Sequence, residues 1–435
     1  MALRFGRFCA EGSSRVMAHL SALRYLRNST PAASSMSVSM SAATRRHLAT
    51  MASPSSSASA QRSRMQRWFP TTSSPLIVSA PMDFVTNATL ASEVSKAGGL
   101  GFIQGGRDFT PGCAALKKLD QELSQARRLL SDLKSSSNSS DNATTAKDIL
   151  PLGVGFVAYA ASVSHFAETT VPILASYRPA AVWLFAPAPD QPGTIGDMVR
   201  ALRESSSSSE DWSAQVKVVV QVGSVAAARE AVVAGADIIV AQGVDAGGHQ
   251  WARGASVVSL VPEIADMVAE QTGSSSGGRE VAVWAAGGLA EGRGVAASLV
   301  LGAEGAVLGT KFMVAAESDA QEFKKQAILS TSDGGMNTVK SQLHDHVQGN
   351  MSWPDLYDGR AVVHPCYQDH EAGVSLDENA AKFKSAKDAG DTSKMVTWSG
   401  TGVGLIKESL PAAEMVKQLR DSAINILQGV SKAKL

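Results

Sequence analysis

Eight short apolar runs, each followed by a segment whose apolar residues recur at helical spacing, succeed one another between residues 74 and 329. That serial alternation is severely restrictive, because a parallel strand reaches its neighbour only through a crossover of a dozen or more residues, usually a helix. The runs are residues 76–82, 100–104, 151–157, 180–186, 217–222, 237–241, 281–288 and 305–313. The helical patterns occupy residues 87–97, 113–133, 163–177, 195–202, 225–234, 257–270, 292–301 and 319–329. Eight such units predict an α/β fold of the (β/α)8 TIM-barrel type, since eight strands close around an interior that side chains can fill. An open doubly wound sheet is the alternative, but no dinucleotide fingerprint opens the series. The expected barrel domain spans residues 68–330.

What flanks the barrel reads differently. Residues 1–67 are rich in Ser, Ala and Arg, carry Glu11 as their only acid and contain no lysine. This is the composition of an organelle transit peptide, so the expectation is a disordered leader directing the chain to mitochondria; without targeting, the chain would be cytoplasmic. The seven arginines and one glutamate ahead of Met51 mean that the remainder of this neutral chain carries about −6, which offers no footprint for nucleic acid. Cys9, Cys113 and Cys366 are scattered and odd in number, against a disulfide framework. No apolar stretch is long enough to span a bilayer. Serine-rich residues 135–145 and 205–209 cannot bury a core and are expected as surface insertions. Residues 331–404 break the barrel rhythm, and helical spacing returns only at residues 405–427, expected to pack on the barrel exterior.

Chemistry concentrates at the ends of the predicted strands, which is the functional end of such folds. The sixth run leads directly into Gln-Gly-Val-Asp-Ala-Gly-Gly-His, residues 242–249. Two glycines let the backbone approach a flat ligand, and His249 projects from a rigid strand tip, suited near neutral pH either to proton transfer or, protonated, to holding an anion by a charge-assisted hydrogen bond, because an unperturbed imidazole titrates at about 6.5. Asp245 reads as a turn former. Gly287 and Gly288 end the seventh run, and Gly309 and Thr310 lie in the eighth. Backbone N–H groups there can hold a terminal phosphate, as barrels commonly do after these two strands. His344 with His346, and His364 with Cys366 and His370, lack a recognised zinc spacing, so no metal is expected.

These motifs, in this order, resemble the nitronate monooxygenase family, formerly called 2-nitropropane dioxygenase. The resemblance rests on Pro81-Met82, Ala-Gly-Gly-Leu-Gly at residues 97–101, the 242–249 element, Ala286-Gly287-Gly288 and Leu-Gly-Thr-Lys-Phe at 308–312, and it extends over residues 74–430. It implies an FMN-dependent barrel that oxidises alkyl nitronates, or nitroalkanes, with dioxygen to a carbonyl compound and nitrite. It further implies Pro81 and Met82 beside the flavin ring and Gln221 at its polar edge. Gly247 and Gly248 would lie along the flavin, Gly287, Gly288, Gly309 and Thr310 at its phosphate, and His249 towards the substrate. Residues 331–404, with Trp353, residues 357–360 and residues 398–404, are expected as a smaller lobe covering the site. Two departures stand out: Gln221 occupies a position that is basic in some relatives, and Gln250-Trp251 follow the histidine where small residues are usual, which is expected to reshape the pocket. Two other functions remain open, an FMN-dependent NAD(P)H reductase of a quinone or enoyl compound and a catalytically silent flavin-binding barrel. The expected partners are small molecules, with neither nucleic acid nor membrane; oligomeric state is left open.

Overall fold

The computed structural model describes residues 62–134, 149–204, 212–273 and 279–433. Most of the expected leader and both serine-rich insertions lie outside those ranges. The described strands are β1 (Leu76–Ser79), β2 (Phe102–Gly106), β3 (Leu150–Val157), β4 (Pro179–Phe185), β5 (Lys217–Val222), β6 (Ile238–Gln242), β7 (Gly248–Trp251), β8 (Ala282–Ala286), β9 (Gly305–Leu308), β10 (Thr338–Ser341) and β11 (Tyr357–Val362). Eight of them form an all-parallel sheet in the order β1-β9-β8-β6-β5-β4-β3-β2. Its two edges meet where Val78 bridges in parallel to Leu100, with Leu100 N–H donating to Ile77 O at 2.9 Å and Ser79 N–H to Leu100 O at 3.2 Å. The sheet therefore closes into the expected barrel.

Strand-helix alternation arises from local signals. In the helix Val225–Ala234, for example, the Ser224 hydroxyl accepts from Ala227 N–H at 3.2 Å, and Gly235 in the left-handed region ends it. Aromatic rings fill the barrel. Phe102 of β2 meets Trp183 of β4 edge-on at 5.2 Å and Trp284 of β8 at 6.4 Å. None of these strands is adjacent to another in the sheet, so the rings meet across the interior.

The short helix Arg64–Trp68 lies against the starts of the strands, held by a capping box between Ser63 and Gln66. Trp284 Nε1–H donates to Met65 Sδ at 3.2 Å, and Arg64 pairs with Glu304 at 2.9 Å while donating to Val281 O at 2.8 Å. The arginines that make residues 62–67 look like leader here tie the chain to the barrel. A second departure lies in the eighth run: the strand stops at Leu308, and Thr310–Met313 turns helical.

Residues 331–404 contain regular structure that the apolar spacing does not reveal. Helices Leu343–Gln348, Pro365–Glu371 and Leu376–Asp388 surround a small core of Leu343, Val347, Cys366 and Phe383. The longest of them buries only Asn379, Phe383 and Ala386, too thin a stripe to read against its charges. β10, β11 and β7 form a separate antiparallel sheet, with His249 opposite Gly359 and Trp251 opposite Tyr357. The segment carrying His249, expected at the tip of the sixth strand, is thus a further strand that joins the barrel to the lobe. The final helix is Ala412–Lys432, starting after Pro411 rather than at residue 405; it buries Met415, Val416, Leu419 and Ala423 on one face.

Candidate active site

A cavity of about 350 Å³ opens at the carboxyl ends of the barrel strands, and all ten residues singled out from the sequence line it. That volume is within the range of small-molecule and cofactor sites. A separate hollow lined by residues between 161 and 201 includes none of the ten.

The barrel wall of the cavity is made of strand ends. Pro81 and Met82 follow β1, in a turn where Met82 N–H donates to Thr86 Oγ1 at 3.0 Å. At the cavity mouth the same turn carries Phe84, with φ of +57° and 75% of its surface exposed. Gln221 ends β5 and accepts the Trp183 indole N–H at 3.0 Å. An indole nitrogen can only donate, so the amide oxygen must face Trp183, which leaves the Nε2 donors for the cavity. Gln242, at the end of β6, donates to His249 O at 3.4 Å, while its Oε1 is buried without a partner among the described residues. Beyond β8, Gly288 has φ of +70°, in the region a side chain disfavours. Beyond β9, Thr310 opens a one-turn helix whose first N–H groups have no intrahelical acceptor, and its Oγ1 accepts Gly400 N–H at 3.0 Å.

The lobe supplies the opposite wall. His249 stacks on Trp353 with ring centroids 3.8 Å apart and planes 7° from parallel, and Trp398 meets it at 4.9 Å. Its Nε2 lies 2.8 Å from Asp345 Oδ2, and both side chains are buried, at 13% and 7% exposure. Alternation along β7 puts Trp251 on the face of His249, where it packs with Phe185 and Tyr357 at 5.7 and 5.1 Å. Gln250 faces the other way and donates to Ala246 O at 2.6 Å. Neither lines the cavity, so the expectation that Gln250 and Trp251 reshape the pocket is not met. Tyr357 donates its hydroxyl to Pro187 O at 3.0 Å, and burial pushes its phenol far above the usual range.

A Cβ on Gly247 would stand 2.4 Å from Gly400 N, so the absent side chain admits the lobe's backbone, and Thr401 N–H donates to Asp245 O at 2.9 Å beside it. Gly400 and Thr401 thus pin the lobe's backbone against residues 245–247, while Gly402 stands against Gly288. Asp245 accepts Val257 N–H at 3.2 Å, which caps the helix Val257–Gly273. The residues the sequence reading missed are Asp345, Asn350, Gln242, Arg107 and Lys324. Asp345 lies 96 residues from His249 in the chain, and no local pattern announces such a pair. Burial lowers the Lys324 ammonium and raises the Asp83 carboxyl, the latter opposed by Arg107. Of the four histidines weighed as metal ligands, His344 and His364 pair across the lobe, Nδ1 to Nε2 at 2.9 Å.

A closed parallel barrel with a tryptophan-stacked histidine and glycine-rich strand ends around one cavity has the organisation of an α/β-barrel enzyme. Residues 194–421 match the nitronate monooxygenase family. Nitronate monooxygenase of Neurospora crassa is 48% identical over 84% of this chain and 94% of that protein. Nitronate monooxygenase npaC of Metarhizium robertsii is 34% identical over 83% and 94%. The chain belongs to the nitronate monooxygenase family, a family of flavoprotein oxidoreductases. Two solved structures share the fold: FabK of Thermotoga maritima (TM-score 0.61, 24% identity, 85% of this chain and 99% of that one) and nitroalkane oxidase of Streptomyces ansochromogenes (0.59, 22%, 85% and 100%).

Proposed function

We propose that this protein binds FMN in the cavity between barrel and lobe and oxidises alkyl nitronates with dioxygen to a carbonyl compound and nitrite, accepting neutral nitroalkanes after their α-proton is removed. The observation that carries this reading is the convergence of His249, stacked on Trp353, with the Gly287-Gly288 and Gly309-Thr310 strand ends on one cavity.

The residues present fit a flavin. Gln221 offers amide donors and Gln242 Oε1 a buried acceptor lacking a partner, which suits the mixed donor and acceptor edge of a flavin ring. A Cβ on Gly248 would meet nothing within 4 Å, and one on Gly309 would meet Met82 Sδ only at 3.5 Å, which leaves room for a flat ring system along the backbone. Thr310 retains its hydroxyl hydrogen for a phosphate oxygen, because its Oγ accepts from Gly400. Among the described residues no adenosine-binding half accompanies these features, which favours FMN over FAD.

The chemistry that bound FMN supplies is electron transfer from a nitronate, already a carbanion equivalent, towards dioxygen. The protein's own work is positioning and proton transfer. His249 takes the α-proton of a neutral nitroalkane, and in its protonated form it holds the resulting anion by a charge-assisted hydrogen bond. Trp353 fixes the ring plane and Trp398 covers it, limiting water at the reacting carbon.

The test is product analysis on the purified protein. Acid should release FMN, and an alkyl nitronate should be consumed with oxygen uptake, yielding nitrite and the matching carbonyl compound. Release of FAD, or oxygen uptake without nitrite, would refute the proposal.

A further inference from the structure

We propose that Asp345 is a positioning residue that holds His249 in its Nε2–H tautomer, making Nδ1 the atom that removes the proton from a neutral nitroalkane. The catalytic half of this rests on the function proposed above; the tautomer half stands on geometry alone. His249 Nε2 lies 2.8 Å from Asp345 Oδ2. An ionised carboxylate only accepts, so the neutral imidazole carries its hydrogen on Nε2 and its lone pair on Nδ1. Nδ1 has no protein hydrogen-bond partner among the described residues, and His249 lines the cavity. The Trp353 stack at 3.8 Å holds the plane of the ring and so helps keep Nε2 on Asp345.

Asp345 is itself held by a directional chain of hydrogen bonds. Asn350 Nδ2 donates to Asp345 Oδ1 at 3.4 Å, and Ser352 Oγ–H donates to Asn350 Oδ1 at 3.0 Å. Tyr159 Oη lies 3.0 Å from Ser352 Oγ, and Arg107 Nη1 donates to Tyr159 Oη at 2.8 Å. Arg107 can only donate and Ser352 has already used its single hydrogen, so Tyr159 accepts from Arg107 and donates to Ser352. Every donor therefore points from the Arg107 cation towards the carboxylate, an arrangement in which successive bonds polarise one another. The chain runs from barrel residues to lobe residues, so docking of the lobe sets the tautomer of the histidine.

In the reaction, the α-proton moves to Nδ1 and the C–H electron pair stays on the substrate, giving the nitronate. The imidazolium keeps its Nε2–H on Asp345 as a charge-assisted bond. The Nδ1 proton is then lost to solvent water.

Asp345→Asn tests this. Asn350 Nδ2 needs an acceptor, so the replacing amide turns its oxygen towards Asn350 and its NH2 towards His249 Nε2, which forces the hydrogen onto Nδ1. The expected result is a fall of about 100-fold or more in kcat/KM for a neutral nitroalkane, and of less than about 10-fold for its separately prepared nitronate. Long-range ¹H–¹⁵N spectra of the histidine-labelled protein, assigned with His249→Asn, should show the Nε2–H tautomer in the wild type and Nδ1–H in Asp345→Asn. A wild-type Nδ1–H tautomer, spectra unchanged by the substitution, or equal losses on both substrates would overturn the proposal. The spectra judge the tautomer even if the wild type consumes no nitronate, an outcome that would refute the proposed function instead.

Discussion

The two walls of the cavity are built by different means. The barrel wall is mostly backbone: short stretches at strand ends, contiguous in sequence, with glycines where a side chain would intrude. The lobe wall is mostly side chains, Trp353, Trp398 and His249, with Asp345 behind the histidine, brought together from distant segments. Backbone suits a cofactor that must be held the same way in every turnover. Side chains suit the step that needs a proton acceptor. On this division, damage to the barrel wall should appear as lost flavin, and damage to the lobe wall as lost proton transfer with flavin retained.

The largest expected effect tests the lobe side. His249→Asn should lower kcat/KM for a neutral nitroalkane by about 10²- to 10⁴-fold while the flavin remains bound. Loss of flavin in that variant would erase the division. On the barrel side, Gly288→Ala places a side chain at φ of +70° with its Cβ 3.0 Å from that of Asp245. Left-handed backbone costs a non-glycine residue about 1–2 kcal/mol, so FMN should dissociate about tenfold more readily. The protein that keeps flavin should retain the wild-type ratio of nitroalkane to nitronate turnover, measured after reconstitution at saturating FMN.

Much of the barrel was legible because each β/α unit writes its own periodicity and its own stop signals. The barrel wall of the site was legible for the same reason: Gly287-Gly288 and Gly309-Thr310 are neighbours in sequence as well as in space. The lobe was not. Its helix Leu376–Asp388 shows three buried positions among charged ones, and no local signal marks β7 as a separate strand because its pairing partner, β11, lies about a hundred residues further on. The Asp345 pairing was hidden between His344 and His346, whose side chains drew attention to metal binding. Trp353 and Trp398 were visible only through family resemblance, since a lone tryptophan gives no sign of what it stacks on.

The lobe should also be the acid-sensitive region. His344 Nε2 lies 3.0 Å from Val339 O, a pure acceptor, so it carries a hydrogen and its Nδ1 accepts from His364. Burial holds both imidazoles below the ordinary histidine value, His364 at about 4, with neighbouring His344 a further cause. The unfolded chain takes up these protons near 6.5, so the folded lobe binds fewer protons between 6.5 and about 4. Stability from His364 is complete above pH 6.5 and is lost as pH falls through that window, on the order of 3 kcal/mol at full development. Urea midpoints at pH 7.5 and 5 should show the drop, and His364→Asn should flatten it; an unchanged slope would remove the pair from the account. The smallest expected effect is that of Trp353→Leu. Losing a stack of about 0.5–1.5 kcal/mol should lower nitroalkane kcat/KM by about 2- to 10-fold and leave FMN content unchanged.

The most direct test of the central claim is to mix the flavin-loaded protein anaerobically with an alkyl nitronate, with NADH and with NADPH in separate experiments, and to follow the visible flavin absorbance. The oxidised-flavin spectrum should disappear rapidly with the nitronate and persist with either nicotinamide. Bleaching by NADH or NADPH, with no response to the nitronate, would contradict that claim.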